Sequence, residues 1–381
     1  MLEKSEGAMM AKKIDLKNEF SEENIRKAYE IEGEKLGRVN IAVLGATGVG
    51  KTTLLNQIFG REISKIGQDG KPTTKKLRYH RYNNYLGIWD TVGFELDKLE
   101  DELLSDIESQ IDNPTYDVQR PHAIWYCVGA YGGNVSTSEF SIIKRLAALK
   151  IPVFVVITQA QSKKGKLSAR TQVKVDLFTE KRIPIATKKP FIVCVKTEPD
   201  AGMHEVFGLK ELVGATFQTL SGTAASESFA AAQTVDLGIK DKTADNAIKV
   251  AAGIAAGIGA SPIPMSDAAL LVPTQLALMA KIAHIYDIDI NRATMATLAA
   301  TGAARAAGTS LVGNILKWIP GLNLAGMFIN AGVASSFTYA MGKSWKYVCK
   351  KIFLGEIPPK YLEKADFLSD LFMAQFKKNY K

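Results

Sequence analysis

Through the first half of the chain, apolar positions fall in short continuous runs separated by polar, glycine-containing stretches. Val39 to Leu44, Tyr85 to Trp89, His122 to Val128, Ile151 to Thr158 and residues 190–195 read as strands, and Leu77 to Tyr82 as a further one after a polar loop. Their unbroken apolarity is that of strands buried on both faces. Between them lie segments with helical apolar spacing, such as "STSEFSIIKRLAAL" with Ser136 or Thr137 as its N-cap, and "GLKELVGATFQTL". Strands alternating with helices predict an α/β domain with a mostly parallel sheet covered on both faces. From about Ser221 the strands give way to Ala-rich helical segments, broken at Pro262 and Pro264, with Ser266 or Asp267 capping the restart. A final amphipathic segment, "PKYLEKADFLSDLFMAQFKKNY", closes the chain. The expected organisation is an N-terminal helical segment, 1–38, docking on a C-terminal bundle; an α/β domain, 39–220; and an all-helical domain, 221–381.

The strand Val39 to Leu44 runs into Gly45-Ala46-Thr47-Gly48-Val49-Gly50-Lys51-Thr52, with Thr53 next, and then a helix. This is the complete G-x-x-x-x-G-K-[ST] pattern in its strand–loop–helix setting. Glycines let the loop curl so that successive N–H groups face inward as an anion nest. The helix adds its N-terminal N–H groups and dipole. Lys51 is placed for the β- and γ-phosphates, and Thr52 for a hydroxyl on Mg²⁺.

The strand Tyr85 to Trp89 ends in Asp90-Thr91-Val92-Gly93. An acid there, beside the phosphate loop, is placed to hold Mg²⁺ through water, and the Gly93 N–H to meet a γ-phosphate. The Asp-x-x-Gly element points to a switch GTPase. In the loop "GQDGKPTTKKLRYHRY", Thr74 is the expected switch threonine, with Thr73 as rival. Lys51, Thr74 and Gly93 are therefore the catalytic candidates, and Thr52, Thr74 and Asp90 the metal candidates. Phe94 stands where many small GTPases hold a water-positioning glutamine, and a phenyl ring cannot orient water. Slow basal hydrolysis is expected. His80, inside a strand, is not expected to act as a base.

After "VFVVI" come Thr158, Gln159, Ala160 and Gln161, in a slot where guanine readers usually carry Lys and Asp at the second and fourth places. Gln161 offers one acceptor oxygen without charge, in place of a carboxylate that takes both N1 and N2 hydrogens. Gln159 keeps an aliphatic stem to cover the base, and Thr158 can tie the slot to the phosphate loop. GTP and GDP are the expected ligands with a weakened preference; adenine stays open.

Composition changes this picture little. The 381 residues carry 48 Lys and Arg against 39 Asp and Glu, a formal charge of +9. That permits an anionic partner surface without demanding one, and no compact basic motif signals nucleic acid. Cys127, Cys194 and Cys349 lack metal spacing and sit among apolar or aromatic neighbours, so buried free thiols in a reducing compartment are expected. The first twenty residues hold no apolar core of signal-peptide length, which points to the cytosol. Ile319 to Gly342 is uncharged and long enough to span a bilayer, with Lys317, Trp318, Lys343 and Trp345 flanking it as anchors; Val250 to Ser266 is also uncharged. Gly, Pro and Asn interruptions favour a buried helical core, with peripheral membrane association second and a true span last.

The first domain resembles the Era-related and immunity-related GTPases. "HAIWYC" and "ASPIPMSDAALLVPTQLALMAKIAHIY" resemble a bacterial group of GTPases with a C-terminal helical domain of uncharacterised function, over about residues 36 to 340. The resemblance implies Thr52, Thr74 and Asp90 as the Mg²⁺ set and Thr158 to Gln161 as the base-reading set. It implies a large, membrane-associated GTPase. Phe94 separately implies low activity that a homodimer, a GTP-dependent oligomer or a partner would complete, and the Lys-rich tail fits an anionic membrane surface; the expected location is cytoplasmic or peripheral at a membrane. The competing classes are a dynamin-like membrane GTPase and a structural nucleotide-binding module with negligible hydrolysis.

Overall fold

The computed structural model describes residues 21–60, 77–91, 105, 120–131, 135–181, 183–201, 203, 205–260, 266–289, 291, 331–362 and 364–380. Thr73, Thr74, Gly93 and Phe94 lie outside them. The chain forms two compact units, one of Leu36–Lys240 and one of Met1–Lys35 with Asp241–Lys381.

The first unit is built on strands β1 (Val39–Leu44), β2 (Leu77–Arg81), β3 (Leu86–Thr91), β4 (Ala123–Gly129), β5 (Val153–Thr158) and β8 (Phe191–Ile192), in the order β2-β3-β1-β4-β5-β8. A two-stranded hairpin, β6 (Ser162–Lys163) with β7 (Lys166–Leu167), stands apart. All pairs in the main sheet are parallel except β2 with β3. The apolar runs are continuous because the sheet is covered twice. Ile41, Val43, Trp125, Cys127, Phe154 and Val156 point into one core, and Ala42, Leu44, Ile124, Tyr126, Val155 and Ile157 into the other. That is the period-two alternation of a strand, with both sides apolar.

Helices α2 (Lys51–Phe59), α5 (Leu209–Leu220) and α6 (Ala224–Ala232) supply the first core. Helices α3 (Thr137–Ala148) and α4 (Ala169–Glu180) supply the second. Ser136, not Thr137, caps α3, in a reciprocal capping box with Glu139. The last strand is shorter than its apolar run, because Cys194 leaves the sheet to exchange hydrogen bonds with Phe207 at 3.1 and 3.0 Å. The unit also runs past the composition change at 221, to Lys240. Phe229 of α6 sets its ring edge-on to Trp125 at 6.4 Å, and the Ser228 hydroxyl donates to the Leu36 carbonyl at 2.6 Å. Small alanines let this helix lie close on the sheet.

The second unit contains most of α1 (Glu22–Leu36), together with α7 (Leu237–Gly259) beyond its first turn, α8 (Ser266–Ile285), α9 (Ala331–Phe353), α10 (Pro359–Leu362) and α11 (Ala365–Asn379). Within it α1 packs on α8: Ile25 meets Val272 and Leu276, the Tyr29 ring lies 3.8 Å from that of His284, and His284 Nε2 sits 2.6 Å from the Tyr29 carbonyl. Trp345 is fully buried with its indole N–H on the Met279 carbonyl at 2.8 Å, so it is a core residue and not an interface anchor. Among the described residues no helix is long and apolar enough to cross a membrane. The described part of the uncharged stretch ending at Gly342 is the start of α9, which continues through Lys343, Lys346 and Lys350.

Those lysines meet two acids of α7. Lys350 reaches Asp241 at 2.6 Å, Lys346 reaches Asp245 at 2.9 Å and Lys343 reaches Asp245 at 3.0 Å, while the Tyr286 hydroxyl donates to Asp241 at 2.6 Å. Burial opposes the Asp241 charge, but the hydrogen bonds from Lys350 and Tyr286 and the charge on Lys346 outweigh it and lower its pKa. Asp245 is lowered in the same way by Lys346 and Lys343, against burial. A carboxylate lowered in the folded state stabilises fully above its unfolded pKa of about 4, and this stabilisation is lost as pH falls through the folded value. Asp241→Asn is expected to cost roughly 1–3 kcal/mol at neutral pH. It should also flatten the loss of stability below about pH 4, as read by thermal melts across a pH series.

Candidate functional site

Strand β1 lies between β3 and β4, where the strand order reverses, so its exit loop opens at the switch point of the sheet. The chain leaves β1 at Gly45 with φ +134°, and a Cβ there would stand 2.2 Å from the Cys127 carbonyl oxygen. Only glycine fits this close approach of two backbones. The loop enters α2 through Gly50, left-handed at φ 91°, with no side-chain cap hydrogen bond. A glycine cap leaves the first turn's N–H groups to an external acceptor, and the helix dipole favours an anion there.

Lys51 folds back over this loop. Its ammonium donates to the carbonyls of Gly45 at 2.8 Å and Ala46 at 3.0 Å, and the residue is only 8% exposed. Burial lowers its pKa, while the charge of Asp90 opposes that shift. Asp90 sits at the penultimate position of β3, opposite Val43 of β1, which brings the acid to the loop's edge. Cys127, beneath the loop, is fully buried, and burial pushes its thiol up to about 12, so it stays protonated. Thr52 is exposed on the first turn of α2, and Thr53 is half-buried beside it.

The base-reading slot is held against the same loop. The Thr158 hydroxyl donates to the Val49 carbonyl and lies 3.3 Å from that of Val128. Gln159 adopts a left-handed backbone, φ 54°, and its amide Nε2 donates to the Gly48 carbonyl at 3.0 Å. Its stem lies alongside Gly50, with Cγ 3.7 Å from where a Cβ on that glycine would be. Ala160 is buried and bonds the Val193 carbonyl through its N–H at 3.1 Å. Gln161 is fixed through its backbone, N–H to the Thr171 hydroxyl at 3.2 Å and carbonyl to the Ser168 N–H at 2.9 Å.

Two supporting residues escape a reading of pattern alone. Lys174, on the largely polar helix α4, is buried and donates to the Gly129 carbonyl at the end of β4. Burial lowers its pKa and raises that of the nearby Glu139, and each charge partly offsets the shift of the other. The hairpin β6–β7 follows the slot directly; its Lys164-Gly165 turn, with φ 53° and 73°, was the available signal. His80 lies in β2 opposite Ile88, and His122 Nδ1 accepts the Asn40 N–H at 2.9 Å.

Of the residues singled out by sequence, the structure thus brings together the loop from Gly45 to Thr53, Asp90, and Thr158 to Gln161. Residues 40–159 match the family described as 50S ribosome-binding GTPase, and residues 224–366 match a domain of unknown function, DUF697. The first unit carries a GTP-binding P-loop GTPase domain, and a DUF697 domain follows it in the chain. Magnetosome membrane protein 22 of Magnetospirillum gryphiswaldense is 32% identical over 111 residues, which are 27% of this chain and 56% of that protein. The chain therefore spans about half the length of that curated relative. Similar solved structures include a probable GTP-binding protein EngB, 16% identical with a TM-score of 0.33 over 48% of this chain and 98% of that one. Elongation factor SelB of Methanococcus maripaludis with a GTP analogue is 16% identical, TM-score 0.31, over 49% and 34%. A chain from work on dimerisation and GTPase activity of the chloroplast translocon components Toc33 and Toc159 is 15% identical, TM-score 0.33, over 53% and 90%.

The contact at Gly45 sets a test. Gly45→Ala forces backbone atoms apart, whereas a Cβ on Gly48, also at positive φ, meets nothing within 4 Å. Gly45→Ala is expected to cost roughly 3 kcal/mol or more, against about 1 kcal/mol for Gly48→Ala, measured by denaturant unfolding.

Proposed function

We propose that this chain is a Mg²⁺-dependent GTP-binding switch of the Era-related kind that hydrolyses GTP slowly and relays nucleotide state to its helical domain. The observation that carries the reading is the buried Lys51, held on its own loop by the Gly45 and Ala46 carbonyls while Thr158 and Gln159 clamp the same loop from the base side. The lysine can exchange those two carbonyls for the β- and γ-phosphates, and the loop N–H groups complete the cradle. Thr52 and Asp90 are hard oxygen donors of the kind Mg²⁺ takes, and Thr74 is the third proposed member of that set. A Mg²⁺ ion held by these residues would supply charge neutralisation at the phosphates.

The base would rest on the Gln159 stem, with Gln161 accepting from guanine. Hydrolysis then depends on positioning a water. Thr74 and the Gly93 N–H are the proposed contributors near the γ-phosphate, and Phe94 contributes none. A second copy or a partner supplying a cation would raise turnover, by ~10³–10⁵ in the case of an arginine. The name of the magnetosome relative supports a second reading, in which this GTPase works peripherally at a membrane.

Lys51→Ala is expected to abolish binding of a fluorescent GTP analogue while leaving the circular dichroism spectrum unchanged. Unaltered affinity in a folded variant would overturn the site. In competition against the same probe, GTP should outbind ATP, and Gln161→Asp should widen the gap by about 1–3 kcal/mol. Equal affinities in the native chain would reverse the guanine assignment. Phosphate release should be slow and should rise with protein concentration if self-association completes the site. Fast release from a monomer would show a complete site within one chain, and no release under any condition would favour a structural nucleotide.

A further inference from the structure

Among the described residues, one end of the helical unit carries almost no charge. Helix α7 has no charged residue from Val250 to Gly259, and α9 has none from Ala331 to Gly342. In α8 Asp267 lies in the first turn, and no further charge follows until Lys281. Ala255, Leu271 and Ala334 pack together, so these three uncharged stretches meet at the same end. On α7 and α8 the outer sides carry large apolar residues too: Val250 is 63% exposed, Ile254 51% and Leu270 54%. Between Asp241 and Val250 the exposed positions of α7 are Lys242, Asn246 and Lys249, an ordinary solvated face. A helix that turns apolar on every side is built to be covered on every side.

The uncharged end stops at a defined level. Gly342 approaches Ile248 and Leu278 so closely that a Cβ on it would stand 2.8 Å from Ile248 Cγ1 and 3.0 Å from Leu278 Cδ2. Around that level the three helices carry Lys249, Lys281 and Lys343, with Asp245 paired to Lys343 at 3.0 Å. The Lys343 ammonium also lies over the ring of the exposed Tyr339, 5.8 Å from its centre. An apolar end ringed by lysines and an interfacial tyrosine matches the layering of an anionic bilayer, with phosphates outside and acyl chains within. Two copies meeting end to end would instead oppose their lysine rings. From Val250 to Gly259 the helix rises about 15 Å, roughly half a hydrocarbon core of about 30 Å.

We infer that this end of the helical unit, marked by Val250, Ile254 and Leu270, is a lipid-docking surface that enters one leaflet of an anionic membrane while Lys249, Lys281 and Lys343 stay at the phosphates. The inference is independent of the guanine assignment, because no residue of the phosphate loop takes part.

The test is flotation of the full chain with phosphatidylglycerol–phosphatidylcholine vesicles and with phosphatidylcholine vesicles alone. Binding is expected to the anionic vesicles and to weaken with salt. The double variant Val250→Asp, Ile254→Asp should lose at least about tenfold in partitioning, with GTP-analogue affinity unchanged as the control for folding. Lys249→Glu should weaken only the anionic component. Should the double variant misfold, Ile254→Cys carrying a polarity-sensitive fluorophore decides, since Cys127, Cys194 and Cys349 are all buried. Its emission should shift to the blue on anionic vesicles. No partitioning of the native chain, undiminished binding of a folded double variant, or an unshifted fluorophore would each overturn the proposal. So would a lipid-free dimer that the double variant dissociates while vesicle binding persists, which would assign the face to a second copy.

Discussion

The approach of the Gly45 backbone to the Cys127 carbonyl governs the nucleotide unit. Strands β1 and β4 run side by side and parallel, so the chain leaving β1 must turn across the end of its neighbour. A side chain at Gly45 would occupy the place of the Cys127 oxygen. The turn can therefore be made only where glycine stands, and it places the following N–H groups at the switch point of the sheet. The sheet's two apolar cores fix the strands, and the strands fix this contact.

Charge inside the loop follows from that geometry. Lys51 is drawn under cover, where burial disfavours its ammonium and two loop carbonyls compensate. Asp90 is brought near on the β3 side of β1, and the buried Cys127 thiol, on the β4 side, stays neutral. The slot after β5 is tied to the same loop by a hydroxyl and an amide, Thr158 to Val49 and Gln159 to Gly48. Phosphate cradle and base slot are therefore tied directly to one another, Gln159 by a hydrogen bond as well as by its stem. The helical unit uses the opposite device. Asp241 and Asp245 are matched by lysines of α9, and among the described residues charge is withheld almost entirely from one end.

The phosphate loop was legible because it is local: its signature is a spacing and a turn, and no distant residue alters them. The strands were legible because burial on both faces leaves an unbroken apolar run, and the helices of the second half because their period survives a low-complexity, Ala-rich composition. Boundaries were less legible. Composition changes at Ser221, yet α6 is small-sided enough to lie on the sheet, and the compact unit ends at Lys240. The run at 190–195 promised a longer strand, but Phe207 draws Cys194 out of the sheet. Trp345, which flanks the uncharged stretch ending at Gly342 and would anchor it in the membrane alternative, is held in the core by the Met279 carbonyl of α8.

The sequence by itself determined that a phosphate-binding strand–loop–helix exists, that a parallel sheet carries it and that a helical domain follows. Each of these rests on spacing along the chain. The tertiary structure decided which residues clamp the loop, that Lys174 braces the end of β4, that Asp241 and Asp245 gather three lysines, and that three uncharged stretches share one end. Those depend on segments far apart in sequence meeting at a few ångströms, and neither periodicity nor composition records which segments meet.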